Sequence, residues 1–141
     1  MSQESTTKQM SYEFTKSLPN HPQSELHDKV VTWMSNNSIL SGPVTGEANS
    51  IAGPIVSTGD TQIKPDGTWV NMRLGFTIQV YVKKDNMKIT FTNLRRLYGS
   101  TLYDTPLNDG FFRTSTGIPY HQAARQRFIL VVQSLSDFIT Q

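Results

Sequence analysis

The chain has 141 residues, of which 36% are hydrophobic and 17% charged, and its net charge is +2. This length fits one domain that can bury a core, and the composition excludes a disordered chain. The absence of cysteine excludes disulfides, thiol catalysis and cysteine metal sites. No apolar run approaches the ~20 residues that cross a bilayer.

The N-terminal part divides into a leader and the first two elements. Residues 1–11 are polar and unpatterned, which predicts a flexible leader before a single domain over 12–141. Tyr12 and Phe14 predict a short strand. A helix is predicted next, because Leu26, Val30 and Trp33 recur at i, i+4 and i+7 on one face. Its N-cap is Ser24, unless Pro22 opens the helix two residues earlier, and Asn36-Asn37 ends it.

From Ile39 to about Tyr98 the apolar period changes to two, which predicts antiparallel strands. A short strand follows Ile39, and a second strand, irregular around Gly53-Pro54, lies within residues 51–63. A turn is predicted at 65–67. The third strand has the clearest alternation, and the side chains of one face are all apolar: Met72, Leu74, Phe76, Ile78, Val80 and Val82.

A hairpin joins the third and fourth strands. Asp85-Asn86 is predicted as its two-residue turn, since both side chains tolerate positive φ. This turn would pair Val82 with Ile89 and Val80 with Phe91. One sheet face is then apolar and the other polar, and the alternation fails after Asn93, which predicts a bulge or a strand end.

The C-terminal part is predicted as a long loop and a long helix. Residues 99–118 show neither period, and an irregular loop of this length is often functional. Pro119 fits the first turn of a helix over about 119–140 that lies across the apolar sheet face. The predicted fold class is therefore α+β, with a meander of about four antiparallel strands and two flanking helices. Seven residues are predicted to share one core: Trp33, Phe76, Ile78, Val80, Phe91, Phe128 and Leu135.

The sequence contains none of the common catalytic, metal-binding or nucleotide-binding motifs that we considered. The three histidines form no HExxH pattern, and no GxSxG, GxGxxG or P-loop sequence occurs. We therefore predict no catalytic, metal or cofactor site and no enzyme activity. The basic residues fall in separated groups (Lys83-Lys84, Arg95-Arg96, and Arg125 and Arg127 apart), which predicts solvated charges and no nucleic-acid binding.

The loop over 99–118 contains aromatic side chains that require a partner. Tyr103, Phe111 and Phe112, with Arg113 beside them, either fold back onto the core or contact a protein partner, a second copy of the chain or an apolar ligand. These four residues are the predicted contact site.

Three segments together resemble a known bacterial family. The helix "VVTWMSNN", the strand "IAGPIVSTG" and the hairpin "FTIQVYVKKDNMKITFTNL" look like the family named domain of unknown function 4468. The resemblance implies a TBP-like fold, with a helix packed on one sheet face. It also implies an envelope location, in the periplasm or at the outer membrane, after removal of a signal. The leader would then be a tether, with an N-terminal lipid on the precursor. The family implies no catalytic residues and no DNA binding.

Two functions remain open at this point. The first is a non-enzymatic envelope protein, which the resemblance implies is a lipoprotein, that binds a macromolecular partner through the loop or the sheet face. The second is a small-ligand binder or hydrolase with a pocket between the C-terminal helix and the sheet. A packed core under that helix favours the first, and a cavity lined by polar groups favours the second.

Overall fold

Within the residues that the structure describes, five strands form one antiparallel sheet. The structure is a computed structural model and describes residues 11–45, 53–64, 72–98, 103–106, 113–115 and 117–140. The strands are β1 (Tyr12–Ser17), β2 (Ile55–Ile63), β3 (Met72–Lys83), β4 (Asn86–Tyr98) and β5 (Tyr103–Pro106). The helices are α1 (Gln23–Ser35) and α2 (Gly117–Thr140).

The order of the strands is β1-β4-β3-β2, and β5 also pairs with β4. β1 pairs with residues 86–91 of β4 and β5 with residues 95–98, so the two short strands share one edge. The α+β class with two helices is confirmed. The sheet extends beyond the meander of β2, β3 and β4, because β1 also joins it. β1 lies on the far side of the β3–β4 hairpin and pairs with β4.

The face of β3 that was predicted to be apolar is buried, from Met72 to Val82. The predicted hairpin register is wrong by two residues: Lys83 pairs with Asn86, Val82 with Met87 and Val80 with Ile89. The turn is therefore Lys84-Asp85, and Asp85 has the positive φ of 65° that its short polar side chain tolerates. A shift of two residues keeps each side chain on its predicted face.

A bulge interrupts β4 where the sequence alternation fails. The register with β3 shifts between Gly75 and Thr77, and Asn93 has a φ of 53°. Beyond this point Leu94 is buried in the core, while β4 continues to Tyr98. The predicted bulge is confirmed.

The segment after α1 runs along the outer edge of β2 as a strap over residues 39–45. It forms only two isolated bridges, Leu40 with Gly59 and Thr45 with Val56, so the strand predicted after Ile39 is absent from this described segment. Gly59 is required here, since a Cβ on it would collide with the Ile39 carbonyl oxygen. The strap covers backbone groups that an edge strand would otherwise expose.

Both helices contribute to one core on the apolar face of the sheet. All seven residues predicted to share that core are buried in one cluster. The ring of Phe128 from α2 stacks on Phe91 of β4, with centroids 4.1 Å apart, and meets Phe76 and Tyr12 at steeper angles. The predicted position of the C-terminal helix is confirmed.

The ends of the helices differ from the prediction. α1 begins at Gln23 with Pro22 at the N-cap position, and no side chain caps it, so Ser24 is not the cap. α2 begins at Gly117, whose N–H donates to the Thr114 hydroxyl at 2.9 Å. The prediction of an irregular loop over 99–118 is wrong in two respects. The segment contains β5, and the helix after it begins at Gly117, two residues earlier than predicted.

Candidate functional site: a basic groove beside the C-terminal helix

An open groove of about 770 Å³ lies between the end of β2 and the first half of α2. On α2, Pro119, Ala123, Gln126 and Leu130 recur every three or four residues, as side chains on one helix face do. The lining consists of three cations, three amides and four apolar residues. These are Lys64, Arg125, Arg127, Gln62, Gln122, Gln126, Ile63, Pro119, Ala123 and Leu130.

The described lining of the groove is positively charged and contains no carboxylate. Lys64 belongs to the segment after β2, whereas Arg125 and Arg127 belong to α2, so cations stand on both walls. None of the three forms an ion pair within the described part of the chain. Opposed walls of like charge favour a negatively charged group between them.

Arg127 is held in place by the adjacent strand. Its Nε–H donates to the Thr61 hydroxyl oxygen at 2.8 Å, and Thr61 is only 6% exposed. Thr61 pairs with Leu74 and therefore lies on the core face of β2, the face that α2 covers. This bond fixes one edge of the guanidinium plane and leaves the two terminal nitrogens available for a ligand.

A hydrogen-bonded tyrosine and histidine lie near the start of α2. The Tyr12 hydroxyl lies 2.7 Å from His121 Nδ1, and the two rings stack with centroids 5.5 Å apart. Burial raises the pKa of Tyr12 well above its ordinary value, and nearby Arg125 lowers it by a smaller amount. The phenol is therefore neutral at physiological pH, which suits it to joining β1 to α2 and not to acting as a base.

Directly under α2, the described side chains pack as an apolar core. Phe128, Leu135 and Ile139 are fully buried in the apolar core. Polar groups collect instead along the flank of the helix, in the basic groove. The described residues also include no cluster of three histidine or acidic side chains that would hold a metal ion. None of the described helices is long and apolar enough to span a bilayer.

Of the four predicted contact residues, the structure describes Arg113 and the backbone of Tyr103. Tyr103 begins β5, opposite Tyr98 of β4, and Arg113 is exposed just before α2. Phe111 and Phe112 lie outside the described residues, as do residues 1–10 of the leader predicted over 1–11 and the turn predicted at 65–67. Their contact with a partner stays a prediction.

Sequence reasoning missed the basic groove. In the sequence Arg125 and Arg127 stand apart as separate surface charges, and Lys64 is an isolated lysine at the end of a strand. About sixty residues separate Lys64 from the two arginines, and only the packing of α2 beside β2 joins them. Of the four other residues that were predicted to be solvated charges, Lys83 and Lys84 are exposed at the hairpin turn as predicted, while Arg95 and Arg96 are half-buried at the opposite end of β4.

Two crystal structures resemble this one. A DUF4468 family protein from Bacteroides ovatus has a TM-score of 0.70 and 13% identity, over 94% of this chain and 87% of that one. A TBP-like protein from Parabacteroides distasonis has a TM-score of 0.71 and 9% identity, over 94% of each chain. The chain shares their fold. The resemblance predicted from the helix, the strand and the hairpin is thus confirmed for the fold. No family model and no curated protein matches the sequence.

Proposed function

We propose that this protein is a non-enzymatic binding protein that holds an acidic segment of a partner protein in the basic groove. The observation that carries the proposal is the convergence of Lys64, Arg125 and Arg127 on one groove whose described lining has no carboxylate. Charge of one sign in a cleft steers and holds a partner of the opposite sign.

The remaining lining suits a peptide. The amides of Gln122 and Gln126 can donate to and accept from a peptide backbone, and Ile63 and Leu130 offer apolar surface. Leu130 is 60% exposed, so a partner would cover apolar surface that is now in water.

The lining supports binding more than chemistry. A hydrolase needs a nucleophile or a general base within reach of its substrate. The described lining residues include no histidine, serine, aspartate or glutamate. The apolar packing under α2 likewise favours a protein that binds at its surface over one with a pocket beneath the helix.

The test is the affinity for a short fluorescein-labelled polyglutamate peptide, measured by fluorescence anisotropy at low salt. The double variant Lys64→Gln/Arg125→Gln should bind about five- to tenfold more weakly, since two favourable charges are lost, and added salt should weaken the wild type.

The matched control removes the same charge elsewhere. Lys83→Gln/Lys84→Gln lies at the exposed hairpin turn and should bind nearly as the wild type does. A polyglutamine peptide should not bind. Equal losses in the two double variants would mean that net charge, and not the groove, attracts the peptide, and the proposal would be wrong.

We further propose an envelope location, with the polar leader as a tether to an N-terminal lipid on the precursor. Its support is the resemblance to the family named above and the Ser, Thr, Gln and Lys composition of residues 2–11, which suits a flexible linker. Fractionation of cells that express the natural gene tests it. The protein is expected in the membrane or periplasmic fraction, and a cytoplasmic protein would contradict the location.

A further inference from the structure

We infer that Arg127 is the residue that recognises a carboxylate in the groove, and that Thr61 is its positioning residue. This inference rests on the proposed function and makes it more specific. It divides the three cations by role: Lys64 and Arg125 supply charge, and Arg127 supplies geometry.

The guanidinium of Arg127 is held in a fixed plane. Arg127 donates its Nε–H to the Thr61 hydroxyl at 2.8 Å, and Thr61 is 6% exposed on a β-strand. A hydroxyl on a paired strand moves little, so the guanidinium loses rotational freedom before a ligand arrives. Less entropy is then lost on binding, which is the advantage of a preorganised arginine.

The edge of the Arg127 guanidinium formed by its two terminal nitrogens remains available for a ligand. With Nε bound, the two terminal nitrogens present parallel N–H groups, and these match the two oxygens of a carboxylate. Within the described residues Arg127 makes no other hydrogen bond and no ion pair. Arg125 is exposed and has no comparable hydrogen bond in the described chain, so its head is free to reorient.

Carboxylate and phosphate are the two anions that this edge of the guanidinium could bind. Both accept a bidentate arginine, but apart from Lys64 and Arg125 the rest of the groove lining consists of glutamine amides and apolar side chains. A glutamate or aspartate in an extended peptide places its carboxylate beside backbone amides and apolar atoms. We therefore assign the ligand as a carboxylate side chain of the partner's acidic segment.

The first measurement compares two substitutions of Arg127 with the same labelled polyglutamate peptide. Arg127→Lys keeps the charge and loses the planar fork, so its affinity should fall about tenfold, close to that of Arg127→Gln. If Arg127→Lys binds as the wild type does, the groove needs only charge. The inference would then be wrong, while the proposed function would stand on the result for Lys64 and Arg125.

The second measurement tests the positioning role of Thr61. Thr61→Val keeps the shape of the buried side chain but removes the acceptor, and should lower affinity about three- to fivefold. Thr61→Ser restores the hydroxyl and should bind as the wild type does. Because both variants keep all three cations, equal affinity in the two would overturn the positioning role. Thermal melting of both variants verifies that the fold is retained.

The third measurement separates the two oxyanions. A phosphoserine peptide of matched length and charge should bind no more tightly than polyglutamate. A phosphoserine peptide that binds while polyglutamate does not would overturn the carboxylate assignment.

Discussion

Truncation of Phe128 tests whether α2 is held on the sheet as described. The side chain is fully buried, stacks on Phe91 at 4.1 Å and meets Phe76 edge-on at 5.4 Å. Phe128→Ala removes an aromatic ring from the centre of a close-packed cluster. The loss combines transfer free energy with the cost of a cavity, about 3–5 kcal/mol in the free energy of unfolding.

The assay is equilibrium urea unfolding followed by tryptophan fluorescence and circular dichroism. For a slope of about 2 kcal/mol per molar, the midpoint should fall by about 2 M. Leu130→Ala is the matched control on the same helix, because Leu130 is 60% exposed, and it should change stability by less than about 0.5 kcal/mol. A loss below about 1 kcal/mol for Phe128→Ala would refute the packing of α2 on the sheet.

Three further variants test other contacts. Gly59→Ala should destabilise the fold by about 1–3 kcal/mol, because the added Cβ collides with the Ile39 carbonyl oxygen, and an unchanged melting temperature would contradict the path of the strap. Lys29→Met removes a 3.0 Å hydrogen bond from Lys29 Nζ to the Ile139 carbonyl and should cost about 0.5–1.5 kcal/mol in urea unfolding. Burial raises the pKa of Tyr12, so above about pH 10 the unfolded chain releases this proton before the folded one. The stability advantage of the wild type over Tyr12→Phe should therefore shrink as pH rises from there, and a constant difference up to about pH 11 would argue against a buried phenol.

The parts of the fold that depend on local pattern could be predicted from the sequence. The alternation from Met72 to Val82 identified both faces of β3. The buried face of α2 is likewise marked by apolar residues at intervals of four, three and four: Ala124, Phe128, Val131 and Leu135. Each signal lies within one element, where the side-chain period follows from backbone geometry alone.

The exact register of the hairpin could not be obtained this way. Asp85-Asn86 and Lys84-Asp85 are both acceptable two-residue turns, and both keep the apolar side chains on one face. The observed turn is tied to a distant segment: the His21 N–H donates to the Asp85 carboxylate at 3.0 Å, and the Leu18 N–H to the Asp85 carbonyl at 2.7 Å. Contacts of this kind are invisible to a local pattern.

The other features that the sequence did not predict depend on contacts between distant segments. β5 has only four residues and ends on Pro106, so nothing in its composition distinguishes it from a loop. The groove was missed for the same reason: Lys64, Thr61 and Arg127 become neighbours only when α2 packs beside the end of β2. A binding site assembled from two elements has no local sequence signature.

The most direct test of the central claim, that the basic groove is the binding site, is a nuclear magnetic resonance titration of the ¹⁵N-labelled protein with polyglutamate. The account predicts saturable shifts concentrated at residues 61–64 and 119–130, with the Arg127 Nε–H signal among those that move most. Shifts on the open polar face of the sheet, around Thr77 and Gln79, with none along α2 would contradict it.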